Sequence, residues 1–251
     1  MIESISTLCT DLKLKPLFSA VQEQQKSGDY DDSSFLERLH DILTAQANHK
    51  HEAKVSRLKK AAKLRCPSAS MADLPYTYWN EINKTDIERL LSLDWVRDGQ
   101  NVVFVGPTGS SKTTTANALA NHAILNEIPV LNFRFVELLL KLSEAEKKEE
   151  LGKFRQKLSK IPIIIIDDWA IKKLTDAQRH LLFEFIEERD GKASLIITSQ
   201  YAPEQWHSAF GDPTVADSVL DRIVNQSYIF NTKTDVSLRQ VYGVNGGKHE
   251  N

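Results

Sequence analysis

The sequence predicts an α/β protein, a parallel sheet covered by helices and preceded by a small all-α domain. Three observations predict it. Short apolar runs at 101–105, 129–133, 161–167 and 193–198 alternate with stretches of helical character, the pattern of strands buried on both faces. The first run leads into Gly106-Pro107-Thr108-Gly109-Ser110-Ser111-Lys112-Thr113, followed by an alanine-rich stretch, so strand, glycine-bearing loop and helix occur in that order. Upstream, residues 4–26 and 35–64 read as helix. A chain of 251 residues suffices for one sizeable domain with a small companion.

Composition excludes little beyond the extremes. Apolar residues make up 41% and charged residues 26%, an ordinary globular balance. The net charge of −2 does not by itself point to nucleic acid, but its distribution is uneven. Residues 1–49 carry four Lys/Arg against eight Asp/Glu, whereas residues 50–65 carry seven basic side chains against Glu52 alone. The longest purely apolar run, 163–166, is far too short to cross a membrane. Glu3 and Asp11 lie where a secretion signal would be basic and then apolar, so a cytoplasmic location is expected. Cys9 and Cys66 lack metal-site spacing and are expected to be free thiols.

Each element has a local reason. In 4–26, Leu8, Leu12, Leu17, Phe18 and Val21 can share one side of a helix, and Gly28 to Asp32 breaks it. Ser34 and Glu37 have capping-box spacing, the hydroxyl accepting an amide proton while the carboxylate reaches back. The helix that follows should carry an apolar stripe (Leu36, Leu39, Ile42, Leu43), then a basic half, until Pro67 ends it. A helical domain is thus expected at 1–66. A connector at 67–100 carries Tyr76, Tyr78, Trp79 and a helix at 85–93. The core, 101–242, continues with helices at 112–126, 136–159 (interrupted near Gly152) and 175–189. Asp212 and Pro213 form an N-cap and first-turn pair that starts a helix to about 225, and 228–230 reads as a short strand. Residues 243–251 are expected to be disordered.

The loop Gly106–Thr113 can cradle phosphate, because consecutive amide N–H groups converge where a loop enters a helix N-terminus. Residues Gly106, Pro107, Thr108, Gly109, Ser110, Ser111, Lys112, Thr113 and Thr114 are therefore candidates for binding ATP. Lys112 would meet the β- and γ-phosphates and the Thr113 hydroxyl would take one Mg²⁺ position. Ser111 stands where the usual pattern has a second glycine; serine at positive φ would strain the loop and weaken the site. The strand ending in Asp167-Asp168 supplies the second half: Asp167 as an Mg²⁺ ligand, Asp168 to orient or deprotonate water. Ser199, at the end of the next strand, either senses the γ-phosphate or makes a strand-end turn. Arg222 either reaches a neighbouring subunit's site to stabilise transition-state charge or forms a surface pair with an acid.

A larger set of residues resembles the IstB-type transposition helper ATPases. It comprises Trp95-Val96, Gly99-Gln100-Asn101-Val102, Gly106-Pro107-Thr108-Gly109, Asp167-Asp168-Trp169, and Leu174-Thr175-Asp176-Ala177. It continues with Ile197-Thr198-Ser199-Gln200, Trp206-His207, Gly211-Asp212-Pro213-Thr214, Ala216-Asp217 and Leu220-Asp221-Arg222. The likeness extends upstream through Arg65, Leu64, Ala61 and Arg57 to Leu12-Lys13-Leu14 and covers about residues 10–240. It implies an AAA+ core similar to DnaC-type helicase loaders. It also implies a homo-oligomer, ring or spiral, with ATP between subunits, which binds duplex DNA and works with a transposase. Under the resemblance Arg222 matches the family's arginine near the chain end and Ser199 approximates the sensor position. The chain departs from the family at Ser111, and at Ala170, where a glycine commonly follows Asp-Asp-Trp.

Two basic segments are candidates for DNA. Lys50, Lys54, Arg57 and Lys60 share a helix face at three- and four-residue spacing, suited to tracking phosphates without reading bases. Lys153, Arg155, Lys157 and Lys160 form the second, beside the acids Glu144, Glu146, Glu149 and Glu150. No base-reading motif is evident, so weak sequence preference is expected. The residues therefore point to a DNA-binding ATPase that assists a transposase. A helicase loader and a DNA-binding scaffold with a degenerate ATP site are the alternatives; a small-molecule kinase would need an acceptor pocket and lid, for which the sequence offers no candidate.

Overall fold

The computed structural model describes residues 2–241; the expectation for 243–251 lies outside the described residues. Two compact units divide between Arg57 and Leu58. In the first, α1 (Ile2–Asp11) and α2 (Lys15–Lys26) replace the single helix expected from 4–26. The reason is local: Lys13 takes φ 58°, and Pro16, lacking an N–H, fits a first helical turn rather than an interior. Helix α3 (Phe35–Ala62) begins at the anticipated capping box, with Glu37 N–H donating to Ser34 Oγ at 3.4 Å and Ser34 N–H to Glu37 Oε2 at 2.8 Å. It crosses the boundary between the units and ends before Pro67, at Lys63, which is left-handed at φ 53°.

The apolar stripe expected on α3 is only partly used. Leu39 and Ile42 are half-buried, but Leu36 and Leu43 are exposed, as are Leu8 and Leu12 on the preceding turns. Polar ties do much of the joining instead: Leu17 N–H donates to Gln46 Oε1 at 3.2 Å and Gln24 Nε2 to the Arg38 carbonyl at 2.9 Å, both glutamines being buried.

The second unit is a doubly covered sheet. After α4 (Lys84–Glu88) and α5 (Asp94–Arg97) come β1 (Asn101–Val105), α6 (Lys112–Leu125), β2 (Val130–Arg134), α7 (Phe135–Lys147) and α8 (Leu151–Ser159). Then follow β3 (Ile163–Asp167), α9 (Asp176–Arg189), β4 (Ser194–Ser199), α10 (His207–Phe210), α11 (Pro213–Val224), β5 (Ser227–Asn231) and α12 (Leu238–Val241). The helix expected at 85–93 is split: α4 passes into a 3₁₀ turn that ends at Leu93, φ 60°. The break between α7 and α8 falls at 148–150, where Glu149 is left-handed, and Gly152 lies inside α8.

The strands run in the order β2-β3-β4-β1-β5, all parallel. All five residues of β1 and of β3 are buried, four in each strand being apolar and the fifth Asn101 or Asp167. Parallel pairing brings Val105 beside Ser199 and Arg134 beside Asp167, so the strands end along one edge. That carboxyl edge is where open α/β sheets bind ligands. At the opposite edge, buried Arg189 donates to four carbonyls, those of Leu158, Ile161, Pro162 and Ser194. It thereby ties α8 to the starts of β3 and β4.

Candidate functional site

The loop after β1 crosses the carboxyl edge and turns into α6. Gly106 takes φ 152° and Gly109 φ 88°; a Cβ on Gly106 would sit 2.5 Å from Thr232 Oγ1, and one on Gly109 2.4 Å from Ser237 Oγ. Both glycines are thus required by conformation and by space. Ser111 adopts φ 68°, ψ 13° as the N-cap of α6 and makes no side-chain capping bond. The serine therefore occupies the left-handed geometry for which a glycine is favoured, at a strain of roughly 1 kcal/mol. Ala170, at φ 59°, repeats the substitution behind the second acidic residue.

Around the loop, Lys112, Thr113, Thr114, Thr108, Gly109 and Ser111 line a cavity of about 780 Å³ together with Asp168, Gln200 and Arg239. That volume suits a nucleotide-sized ligand. Lys112 is buried and donates from Nζ to the Pro107 carbonyl at 2.7 Å. Burial pulls its pKa down to about 8, opposed by the nearby carboxylates of Asp167 and Asp168. Ser110 is engaged elsewhere: its hydroxyl meets Thr232 Oγ1 at 2.7 Å, and its carbonyl accepts from Trp79 Nε1 at 3.2 Å.

Asp167 is fully buried at the end of β3. Its Oδ1 accepts from Thr113 Oγ1 at 2.9 Å and from the Thr198 hydroxyl, and its Oδ2 accepts from Arg65. A buried carboxylate and a hydroxyl on the phosphate loop are hard oxygen donors, and a hydroxyl and one carboxylate suit Mg²⁺, which completes its shell with phosphate and water. Among the described residues no cluster of three or more His, Cys, Asp or Glu could hold a metal by protein ligands alone. Asp168, left-handed at φ 60°, projects into the cavity wall and its N–H donates to Thr198 Oγ1 at 3.2 Å.

Two expectations require correction. Ser199 does not line the cavity: its buried hydroxyl donates to the Trp169 carbonyl at 3.0 Å and accepts from Trp206 Nε1 and Tyr201 N–H, both at 3.1 Å. It holds the Trp169–Trp206 cluster, while Thr198 and Gln200 face the site, the latter accepting from Thr108 Oγ1 at 3.0 Å. A one-residue shift on a strand reverses the face, which explains the difference. Arg155 pairs with Glu184 and Glu188, so its charge is already neutralised and it is withdrawn as a phosphate contact. Lys153 and Lys157 remain beside a smaller cleft that also holds Glu144 and Glu150.

Arg222 lies away from this chain's own phosphate loop. Its Nη1 donates to the Ser218 carbonyl at 2.7 Å, it pairs with Glu187 at 3.4 Å and Asp190 at 3.8 Å, and it stacks 5.5 Å over Phe183. Within one chain the surface-pair reading is the one seen. In the first unit, Lys50, Lys54 and Arg57 line a cleft of about 630 Å³ with Lys13, Lys15 and His49; Lys60, further along α3, belongs to the second unit and does not line it. The sequence reading missed Lys13 and Lys15, which reach α3 only because α1 and α2 form an elbow. It missed Arg239 for a similar reason: Leu238 N–H donates to the Gly109 carbonyl at 2.9 Å, folding the chain's later part onto the loop.

A family model described as "IstB-like ATP binding protein" matches residues 7–242. A Pseudomonas fluorescens protein named as an ATP-binding protein of insertion sequence IS1162 is 34% identical over 189 residues, covering 75% of this chain and 82% of its own. A Geobacillus stearothermophilus counterpart named for IS5376 is 30% identical over 237 residues, 93% of this chain and 92% of its own. Among solved structures, the DnaC helicase loader superposes with a TM-score of 0.54 at 22% identity over 65% of this chain and 96% of its own. The replication initiator DnaA bound to AMPPCP and single-stranded DNA gives 0.58 at 15% identity over 70% of this chain and 53% of its own. At these identities the structural matches speak to the fold alone.

Proposed function

Because the chain belongs to the IstB-like ATP-binding protein family and has the AAA+ fold, we propose that it is an ATP-dependent DNA-binding ATPase that assists an insertion-sequence transposase. The observation that carries this reading is the 2.9 Å bond joining Thr113 on the phosphate loop to buried Asp167 at the end of β3. Relatives named for insertion sequences, one of them matching 93% of this chain, support the genetic setting of this reading.

In this reading the loop 106–114, with amide N–H groups from 108 onward, and Lys112 bind the triphosphate, and Thr113 and Asp167 hold Mg²⁺. The metal would neutralise phosphate charge. Asp168 lies at the cavity wall, placed to orient water. Gln200 and Arg239 border the same space and complete the polar lining. Arg222 acts on the site of an adjoining subunit in a homo-oligomer, so nucleotide sits between protomers and hydrolysis changes assembly. Duplex DNA is held through phosphates by Lys50, Lys54, Arg57 and Lys60, with Lys13 and Lys15 added by the cleft. Among the described residues no helix is long and apolar enough to cross a membrane; a cytoplasmic site of action fits this reading.

Sedimentation with duplex DNA under ATP, ADP and no nucleotide tests the switch. Large DNA-bound assemblies with ATP alone are expected; equal assembly in all three states would favour a scaffold with a degenerate ATP site. Capture by the cognate transposase rather than a replicative helicase is expected, and the reverse would mean a helicase loader. Replacing Lys54, Arg57 and Lys60 by Ala should lower DNA affinity and reduce the salt slope by up to about 3. Unchanged slope and affinity would remove α3 from the DNA contact.

A further inference from the structure

Arg65 follows the end of α3 by three residues and reaches the centre of the candidate ATP site. Its Nη1 donates to Asp167 Oδ2 and lies 3.7 Å from Asp168 Oδ2. The guanidinium thus bridges the two carboxylates at the end of β3. Asp167 has no spare oxygen: Oδ1 is taken by Thr113 and Thr198, and Oδ2 by Arg65.

The segment around Arg65 is strapped to the core independently of that ion pair. Asn117, on α6, accepts from Cys66 N–H at 3.2 Å. Asn121, one helical turn further, donates to the carbonyls of Pro67 at 3.1 Å and Ala69 at 2.8 Å. Asn132, on β2, donates to the Lys63 carbonyl at 3.2 Å. All three asparagines are buried, so the strap is a built feature. It fixes the backbone of 63–69 while leaving the Arg65 side chain about one-third exposed. The side chain can therefore leave Asp167 without the strap coming off.

The guanidinium on Asp167 Oδ2 puts a positive charge where a divalent cation would approach that carboxylate, so the two oppose each other. Resting on the reading of Thr113 and Asp167 as the metal-binding pair, we infer that Arg65 is a gate on the cation position. It occupies Asp167 in competition with the metal of an incoming Mg²⁺·triphosphate and must swing aside for loading. The gate raises the metal concentration that nucleotide binding requires.

The test is a titration of a fluorescent ATP analogue against the full-length protein at a series of Mg²⁺ concentrations, with wild type, Arg65→Ala, Arg65→Lys and Lys112→Ala compared. Fluorescence anisotropy reads binding, and thermal melts without nucleotide establish that each variant is folded. Arg65→Ala should lower the Mg²⁺ midpoint and tighten Mg²⁺-dependent binding about tenfold, the scale of one charge-assisted hydrogen bond removed. Arg65→Lys should fall between, since its flexible, strongly hydrated ammonium keeps the charge but lacks the planar guanidinium fork. Binding by Arg65→Ala equal to or weaker than wild type would overturn the gate and make Arg65 a structural tie or a phosphate ligand. Binding by wild type that Lys112→Ala loses shows that the site itself works in either case. Failure of wild type to bind would instead overturn the site, and the gate with it.

Discussion

At the scale of single residues, the candidate site depends on backbone geometry as much as on charge. Ser111 and Ala170 both sit at positive φ, where an L side chain crowds its own carbonyl. Ser111→Gly and Ala170→Gly should each stabilise the protein by roughly 1 kcal/mol in urea unfolding, partly offset by the greater freedom glycine gives the unfolded chain. Only Ser111→Gly, at the phosphate loop, should also strengthen nucleotide binding. If it leaves affinity unchanged or lower, the loop has adapted to serine and the strain is not felt by the ligand.

At the scale of elements, caps and buried ties can be separated by their response to pH and truncation. The Glu37 carboxyl is held below the ordinary glutamate range by its bond from the Ser34 hydroxyl and then by the Ser34 amide. A carboxylate favoured in the folded state contributes stability above its unfolded pKa, lost as pH falls through the lower folded value. An NMR titration of the Glu37 carboxyl carbon should therefore give a midpoint below that of an unstructured glutamate. A midpoint in the ordinary range would mean that the cap is not populated in solution. Arg189 is the opposite case, buried with its pKa drawn down to about 10 by burial, yet donating to four carbonyls at the end of α8 and around the starts of β3 and β4. Arg189→Met keeps much of the volume but leaves those carbonyls unpaired, and should cost at least about 3 kcal/mol in urea unfolding. A loss under 1 kcal/mol would show that water replaces the guanidinium without penalty.

At the scale of the whole molecule, the isolated chain holds a phosphate loop and two carboxylates but turns Arg222 toward Glu187, Asp190 and Phe183. If Arg222 serves a neighbouring subunit, Arg222→Lys should fold normally and lose ATP hydrolysis by about a thousandfold. Mixing it with Lys112→Ala protein should restore part of the activity, because each variant then supplies the part the other lacks. No recovery in mixtures, with both variants folded and oligomeric, would return Arg222 to a structural role.

The sequence by itself determined the succession of strands and of the long helices between them, the phosphate loop, the acidic strand end and the caps of α3 and α11. Each is written in neighbouring residues: an apolar run, a glycine pair, a serine three residues before a glutamate. It even located the anomaly at Ser111, because a left-handed position in a loop is set by the few residues around it. Tertiary structure alone decided which side chains meet. Arg65 reaches Asp167 from 102 positions away, Arg239 folds back over the loop, and Thr198 rather than Ser199 faces the acids because the sheet sets which face of β4 is inward. Pairings so distant in sequence leave no periodicity to read, since they are fixed by the packing of strands and helices that each formed for local reasons.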